Sequence, residues 1–299
     1  MTRKASLWMG FAAFMAIPCL GLSQDFDRVQ ISSVKAAEGV YMLTGSGGNI
    51  GVSAGESGIL MIDSQFGQLH DKVKAAMAGI QTGPVRFLLN TNWHYDHALG
   101  NELFRKEGAT IIAHENSDKR MRSDQVHDVI NAKTPAYPSA ALPEITFADS
   151  LSLHFNGDWI DAIHIPNAHS DADVLYRFRR AKVIHTGDLF FSAGYPYIDI
   201  GNGGSIDGMI AAAGRILKLI DDDYKVIPGH GPLSNRKRIQ EFSSMLSAVR
   251  GRIAKLIKNG KGLEEIIASK PTADLDKSWN GALSPQMFVS LVFRDLSRR

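Results

Sequence analysis

The chain has 299 residues, 44% of them hydrophobic and 21% charged, which excludes a disordered segment and allows a sizeable core. Its formal net charge of +2 excludes a globally basic surface made for nucleic acid. Short basic runs such as Arg236-Lys237-Arg238 read as solvated helix faces.

The N-terminus reads as a cleavable export signal over residues 1–23. Arg3 and Lys4 form a positive n-region, residues 7–22 are apolar and uncharged, and Gly21-Leu22-Ser23 supplies small residues for cleavage after Ser23. The apolar run is short for a membrane span and contains Pro18. The expectation is a periplasmic or secreted protein with no stable membrane insertion. Cys19 is the one cysteine and lies inside the signal, behind Ile17-Pro18 rather than the small residue of a lipoprotein site. The mature chain therefore has no thiol for a disulfide, a metal or nucleophilic attack.

The next segment predicts a meander of strands over residues 40–44, 50–54 and 58–63, with a turn at Gly45-Ser46-Gly47-Gly48-Asn49. Leu69, Val73, Met77 and Ile80 recur at helical spacing until Gly83-Pro84 stops them. A strand over residues 85–89 leads into Asn92-Trp93-His94-Tyr95-Asp96-His97. A short helix at Leu103 and Phe104, a strand over residues 110–113, a helix over residues 116–131 and a Pro-rich loop over residues 133–143 follow. The second half predicts strands over residues 151–155, 158–165, 174–178, 182–185 and 225–227, with a helix capped by Ser205 before the last of them. The apolar stripe Ile239, Phe242, Leu246, Val249, Ile253 and Leu256 marks a long helix, and Ser284-Pro285 starts the final one. Two sets of strands, each followed by helices, predict an α/β fold of two sheets packed face to face with helices outside.

Metal chemistry is legible at the predicted strand ends. Two imidazoles and a carboxylate crowd into four residues at His94, Asp96 and His97. His169 in Asn167-Ala168-His169-Ser170-Asp171, Asp188 in Thr186-Gly187-Asp188, and His230 in Pro228-Gly229-His230-Gly231 share the same setting. Zinc favours imidazole nitrogen and carboxylate oxygen and takes about four ligands. The six residues suffice for one zinc and nearly for two. The remaining histidines, His70, His114, His127, His154, His164 and His185, read as ordinary structural side chains.

Order and spacing make the set resemble the metallo-β-lactamase superfamily, with its His-x-His-x-Asp-His loop and a later histidine, aspartate and histidine at strand ends. The resemblance runs from about Val40 to Pro232. It implies an αββα sandwich over residues 24–235, the metal site at one edge of the sheets, and a helical C-terminal extension over residues 236–299 packed on the same domain. It also implies His94 and His169 as ligands of a first zinc, Asp96, His97 and His230 as ligands of a second, and Asp188 as a bridge. Asp63 matches an aspartate that braces the site from behind. The departure is Asn92, where the family usually has histidine, so the expectation is one tightly bound zinc in the second position and a loose or empty first position.

The implied reaction is hydrolysis of an ester, thioester or amide-like bond by metal-activated water, with Asp96 or His169 as general base. The partner is a small-molecule substrate. Phe66, Trp93, Tyr95, Tyr195 and Tyr197 are the candidates to line its cleft. Residues 189–204 contain no Lys or Arg to hold a β-lactam's carboxylate, which counts against efficient turnover of such drugs, whereas export favours it. The alternatives are a glyoxalase-II-like thioesterase and a binding protein whose catalytic site has decayed at Asn92.

Overall fold

A computed structural model describes residues 25–127 and 132–298; the expected export signal lies outside them. The chain opens with four antiparallel strands, β1 (Ser32–Ala37), β2 (Val40–Thr44), β3 (Ile50–Gly55) and β4 (Gly58–Ile62). Helix α1 (His70–Ala78) then crosses over to β5 (Val85–Leu89), which pairs parallel with β4. The histidine loop and two short helices, α2 (Tyr95–Ala98) and α3 (Asn101–Lys106), connect β5 to β6 (Thr110–His114), again parallel. Helix α4 (Glu115–Met121) and the small hairpin of β7 (Gln125–His127) and β8 (Ala132–Thr134) precede β9 (Ile145–Phe147), which closes the first sheet beside β6.

The second sheet starts with β10 (Ser150–Phe155), β11 (Asp158–His164) and β12 (Val174–Phe178), all antiparallel, then β13 (Val183–His185). Helix α5 (Ile206–Leu219) returns the chain to β14 (Lys225–Ile227), parallel to β13, and β15 (Ser234–Asn235) forms the far edge. Helices α6 (Arg236–Lys258), α7 (Leu263–Ala268) and α8 (Pro285–Ser297) complete the chain. The sheet orders are β1-β2-β3-β4-β5-β6-β9 and β10-β11-β12-β13-β14-β15.

The layers follow from the two-residue period of a strand. Leu60 and Ile62 of β4 point into the space between the sheets with Leu89, Ile112, Tyr176 and Phe178. Their neighbours Ile59 and Met61 point outward onto α1, with Val73, Met77 and Phe104. A strand covered on both faces needs a continuous apolar run, and β4 and β5 have one. On the outer side of the second sheet, Leu175, Ile184 and Val226 share one core with Met209 and Ile216 of α5, Phe242 and Leu246 of α6, and Phe288 and Val292 of α8. This is the αββα sandwich, and the C-terminal extension is continuous with its core.

The helix predicted over residues 116–131 is corrected. Helix α4 ends at Met121, where Gln125 Nε2 donates to the Arg120 and Ser123 carbonyls and to the Ser123 hydroxyl, and β7 follows; residues 128–131 of the predicted helix lie outside the described residues. The Pro-rich loop is anchored by Tyr137, which is buried and whose hydroxyl donates to the Trp93 carbonyl at 2.8 Å. Strands β1, β9 and β15 and helix α7 have no counterpart in the predicted elements; the strands are short or half exposed and lack a clear apolar alternation. Among the described residues no helix is long and apolar enough to cross a membrane.

Candidate metal centre

The parallel pairs decide where the chemistry collects. Strands β4 and β5 run the same way, so Asp63 and the loop after Leu89 emerge at one edge. Strands β13 and β14 run the same way, so Asp188 and His230 emerge together. Strand β11 is separated from β13 by one antiparallel neighbour, so the loop that carries His169 leaves at the same edge. Ends of parallel strands are the usual place for a site in open α/β sheets.

Two groups of donors result. Ligand atoms of His94, His169 and Asp188 lie within 4.8 Å of one another, and so do those of Asp96, His97 and His230. Asp188 stands between the groups. Its Oδ2 lies 3.1 Å from His97 Nε2 and 3.5 Å from His169 Nε2, and its Oδ1 lies 3.3 Å from His230 Nε2. Asp96 Oδ2 lies 3.3 Å from the same His230 nitrogen.

Each buried histidine of the two groups is held from behind by a carboxylate. His97 Nδ1 meets Asp63 Oδ2 at 2.8 Å, His169 Nδ1 meets Asp173 Oδ1 at 2.9 Å, and His94 Nε2 meets Asp199 Oδ2 at 2.9 Å. An ionised carboxylate only accepts, so the nitrogen facing it carries the proton. Once the second proton is displaced, the lone pairs available to a metal would be those of His97 Nε2, His169 Nε2 and His94 Nδ1. Asp63 has a left-handed backbone, φ 61°, and also accepts from the Thr91 amide at 2.7 Å and hydroxyl at 2.6 Å, tying the histidine loop to the end of β4. Asp173 and Asp199 were not singled out in the sequence. Asp173 carries a signal, four residues past His169, whereas Asp199 is 105 residues from His94 and carries none.

Asn92 is not placed as a ligand. Its Oδ1 accepts the His94 amide at 2.8 Å, which also fixes which end of the side chain is nitrogen, and its Nδ2 donates to Asp188 Oδ2 at 3.2 Å. The side-chain oxygen is taken by the backbone, and the amide nitrogen steadies Asp188.

Close approach explains two of the glycines. A Cβ on Gly48 would sit 2.2 Å from the His97 ring, and one on Gly229 would sit 2.2 Å from Asp188 Oδ1. The turn containing Gly48 is tied to the His230 loop by Asn49, whose Nδ2 donates to the Pro228 and Gly231 carbonyls at 2.9 and 2.8 Å.

Charge and burial pull against each other. Burial disfavours the charge on Asp188, yet His97, His169 and His230 outweigh it and hold the carboxyl well below its usual range. Burial likewise opposes a proton on His97, but Asp188, Asp96 and Asp63 keep it well above the ordinary imidazole value. Burial opposes one on His169 too, and Asp188 and Asp173 raise it to about 9. Burial lowers His94, with His169 adding to the effect.

The fit to a metal rests on buried donor atoms that face one another. Among the described residues, His97 Nε2 and Asp188 Oδ1 are buried, and their polar neighbours, Asp188 Oδ2 at 3.1 Å and His230 Nε2 at 3.3 Å, belong to the cluster itself and make no well-aligned hydrogen bond to them. Unsatisfied buried polar atoms are rare and costly, and imidazole nitrogen with carboxylate oxygen is the donor set of zinc. The residues fit a metal, and each group has the donors to hold one.

The expected cleft residues divide. Trp93 is fully buried among Met121, Tyr137 and Ala172, and Tyr195 stacks on Phe288 at 4.6 Å with its hydroxyl on Asp276. Phe66 is 9% exposed and packs on Phe26 and Tyr95. These are core contacts, because each side chain finds an apolar partner on a neighbouring element. Tyr197 is at the site, its ring 6.1 Å from His94 and 6.2 Å from His169. His185, expected to be structural, is buried with Nε2 on the Asn49 carbonyl, and burial lowers it to about 4.

Comparison with known proteins agrees with this geometry. A family model described as the metallo-beta-lactamase superfamily matches residues 43–230. The hydroxyacylglutathione hydrolase of Polaromonas sp. (strain JS666 / ATCC BAA-500) is 27% identical over 176 residues, 56% of this chain and 57% of its own. That of Pelagibacter ubique (strain HTCC1062) is 29% identical over 111 residues, 37% of this chain and 38% of its own. The chain thus spans less than two thirds of either relative. Among solved structures, the metallo-beta-lactamase from Pontibacter korlensis superposes with a TM-score of 0.59 at 18% identity, covering 73% of this chain and 99% of that one. The stereoselective inverting sec-alkylsulfatase Pisa1 from Pseudomonas sp. superposes with a TM-score of 0.66 at 15% identity, covering 88% of this chain and 50% of that one. Identities this low speak for the fold alone.

Proposed function

The chain belongs to the metallo-beta-lactamase superfamily of metallo-hydrolases, and from that premise we propose that it is an exported zinc-dependent hydrolase of a small-molecule ester, thioester or amide-like bond. The observation that carries the reading is the meeting of the two donor groups around Asp188, where a buried imidazole nitrogen and a buried carboxylate oxygen have only other members of the cluster for polar neighbours and no well-aligned hydrogen bond.

His94 Nδ1, His169 Nε2 and Asp188 would hold one ion, and Asp96, His97 Nε2 and His230 Nε2 the other. Zinc held by these residues would supply Lewis acidity toward a scissile carbonyl and a water nucleophile near neutral pH. The protein's own residues set the rest. His169 is 1% exposed and has both nitrogens committed, one toward Asp173 and one toward Asp188, so it holds position rather than exchanging protons with a substrate. The Asp96 side chain is 17% exposed, which makes it the carboxylate best placed to accept a proton. Tyr197 supplies an aromatic surface beside His94 and His169. Thioesters are the first bond class to try, because the two hydrolase relatives act on hydroxyacylglutathione by name. Residues 1–23 are proposed as the export signal.

The test is zinc content by mass spectrometry on the mature protein, followed by a panel of chromogenic ester, thioester and β-lactam substrates before and after chelation. The expected result is zinc in the purified protein, with activity lost on chelation and restored by zinc. Activity that survives full removal of the metal would sink the proposal.

A further inference from the structure

The first donor group lacks the family's third histidine, yet all three of its side chains are buried and both of its histidines are braced. The brace on His94 comes from a loop outside the histidine motif. Residues 190–206 run past the site after Asp188, and Asp199 lies in the middle of them, 1% exposed. Its Oδ2 accepts from His94 Nε2 at 2.9 Å and from Asn202 Nδ2 at 2.8 Å. Its backbone amide donates to the His169 carbonyl at 2.8 Å. One residue therefore touches both histidines of this group, one through its side chain and the other through its backbone.

The support extends outward in two directions. Asn202 Oδ1 accepts from Arg120 Nη1 at 2.8 Å, and Arg120 pairs with Asp171, two residues past His169, at 2.7 Å. The loop is also pinned by the C-terminal extension. Asp295 Oδ2 accepts the Ile206 amide at 2.9 Å, Arg298 donates to the Ile200 carbonyl at 2.9 Å, and Tyr195 donates to Asp276 at 2.9 Å. A carboxylate that holds the far nitrogen of a ligand histidine fixes its tautomer and ring angle and raises its basicity.

We infer that Asp199 is the positioning residue of the first metal position, compensating there for Asn92. This rests on the metallo-hydrolase reading. Asp199 touches neither substrate nor metal; it presents His94 Nδ1 with its lone pair toward Asp188 and His169. The first position is then occupied rather than loose.

The experiment is a zinc titration of the chelator-stripped, full mature chain against a competing chelator, for the wild type, Asp199→Ala, Asp199→Asn and His230→Ala, with circular dichroism melts of each metal-free protein. Expected are two zinc equivalents for the wild type, and for Asp199→Ala a loss of roughly 10–100-fold in affinity at one step only. His230→Ala should weaken the other step. Asp199→Asn keeps an acceptor oxygen without the charge, so it should recover much of the alanine variant's loss. Wild-type affinity at both steps in Asp199→Ala overturns the inference, as does an equal loss at both steps, which marks a structural collapse. No recovery in Asp199→Asn overturns the positioning role. A wild type that binds no zinc overturns the metallo-hydrolase reading and this inference with it; a wild type that binds two equivalents with Asp199→Ala unchanged overturns this inference alone.

Discussion

The two donor groups of the centre differ in depth. His94, His169 and Asp188 are buried, at 4%, 1% and 3% exposure, and both histidines have a carboxylate behind them. In the other group the His230 side chain is 29% exposed and that of Asp96 17%. His230 is steadied by the ring of Phe191, stacked at 4.9 Å, and has Asp96 and Asp188 in front of it. The lesson is a gradient of exposure within one edge of the sheets: His97 is as buried as the first group and has Asp63 behind it, so only Asp96 and His230 face the mouth of the site.

Removing what the groups share should have the largest effect. Asp188→Ala takes away the anion that faces His97, His169 and His230, so both positions should lose zinc and activity should fall by roughly 10³-fold. Metal analysis and steady-state kinetics read this directly, and a variant that keeps near wild-type turnover would end the idea of a shared centre. His230→Ala tests the gradient. It should cost most of the activity, by roughly 10²-fold, while the deeper group keeps one zinc equivalent. Loss of both equivalents would show that depth confers no independence.

Protons should discriminate next. Metal must displace the protons that Asp188 and its neighbours hold on His97 and His169, so zinc affinity of the stripped protein should rise with pH toward about 9, the value for His169. The same raised values work in reverse on the metal-free fold. Both folded-state values lie above the ordinary 6.5, so their stabilisation is complete below that pH and is lost as pH rises through about 9 for His169. Melting temperatures of the stripped protein that rise over that window would contradict the assignment.

Two smaller effects lie outside the ligands. Asp295→Ala leaves the buried Ile206 amide without its acceptor, which should cost about 1–3 kcal/mol in chemical denaturation. Asp161 in the second sheet is a control remote from zinc. It pairs with Arg177 at 2.9 Å and Arg179 at 2.6 Å. Although burial opposes its charge, hydrogen bonds from Arg179, Ser152 and Arg177 hold it at about 2. Its contribution is therefore present above the ordinary 3.8 and lost as pH falls through about 2. Arg179 is half exposed, so solvent screening keeps the cost of Asp161→Asn at about 1 kcal/mol. Its zinc affinity should match the wild type.

Local chemistry made the ligand candidates and the layer plan readable from the chain. Apolar runs bounded by glycine, proline and polar turns mark strands buried on both faces, and His94, Asp96, His97, His169, Asp188 and His230 all stand where such runs end. The strand pairing that gathers those ends cannot be read from any one segment, because parallel partners such as β13 and β14 are separated by a whole helix. The helix expected to reach Asn131 shows the other limit: polar residues after Met121 offer the backbone competing hydrogen bonds, and a periodicity argument does not weigh them.

The sequence by itself determined the donor types, their order, the single cysteine at position 19 and the replacement of the usual histidine by Asn92, since these are matters of residue identity. Only the tertiary structure decided what Asn92 does, which nitrogen of each histidine faces the centre, and that Asp173 and Asp199 stand behind His169 and His94. The physical reason is distance along the chain. A carboxylate 105 residues from its histidine leaves no periodicity or motif, and becomes its hydrogen-bond partner only when a loop braced by the C-terminal helices folds across the site.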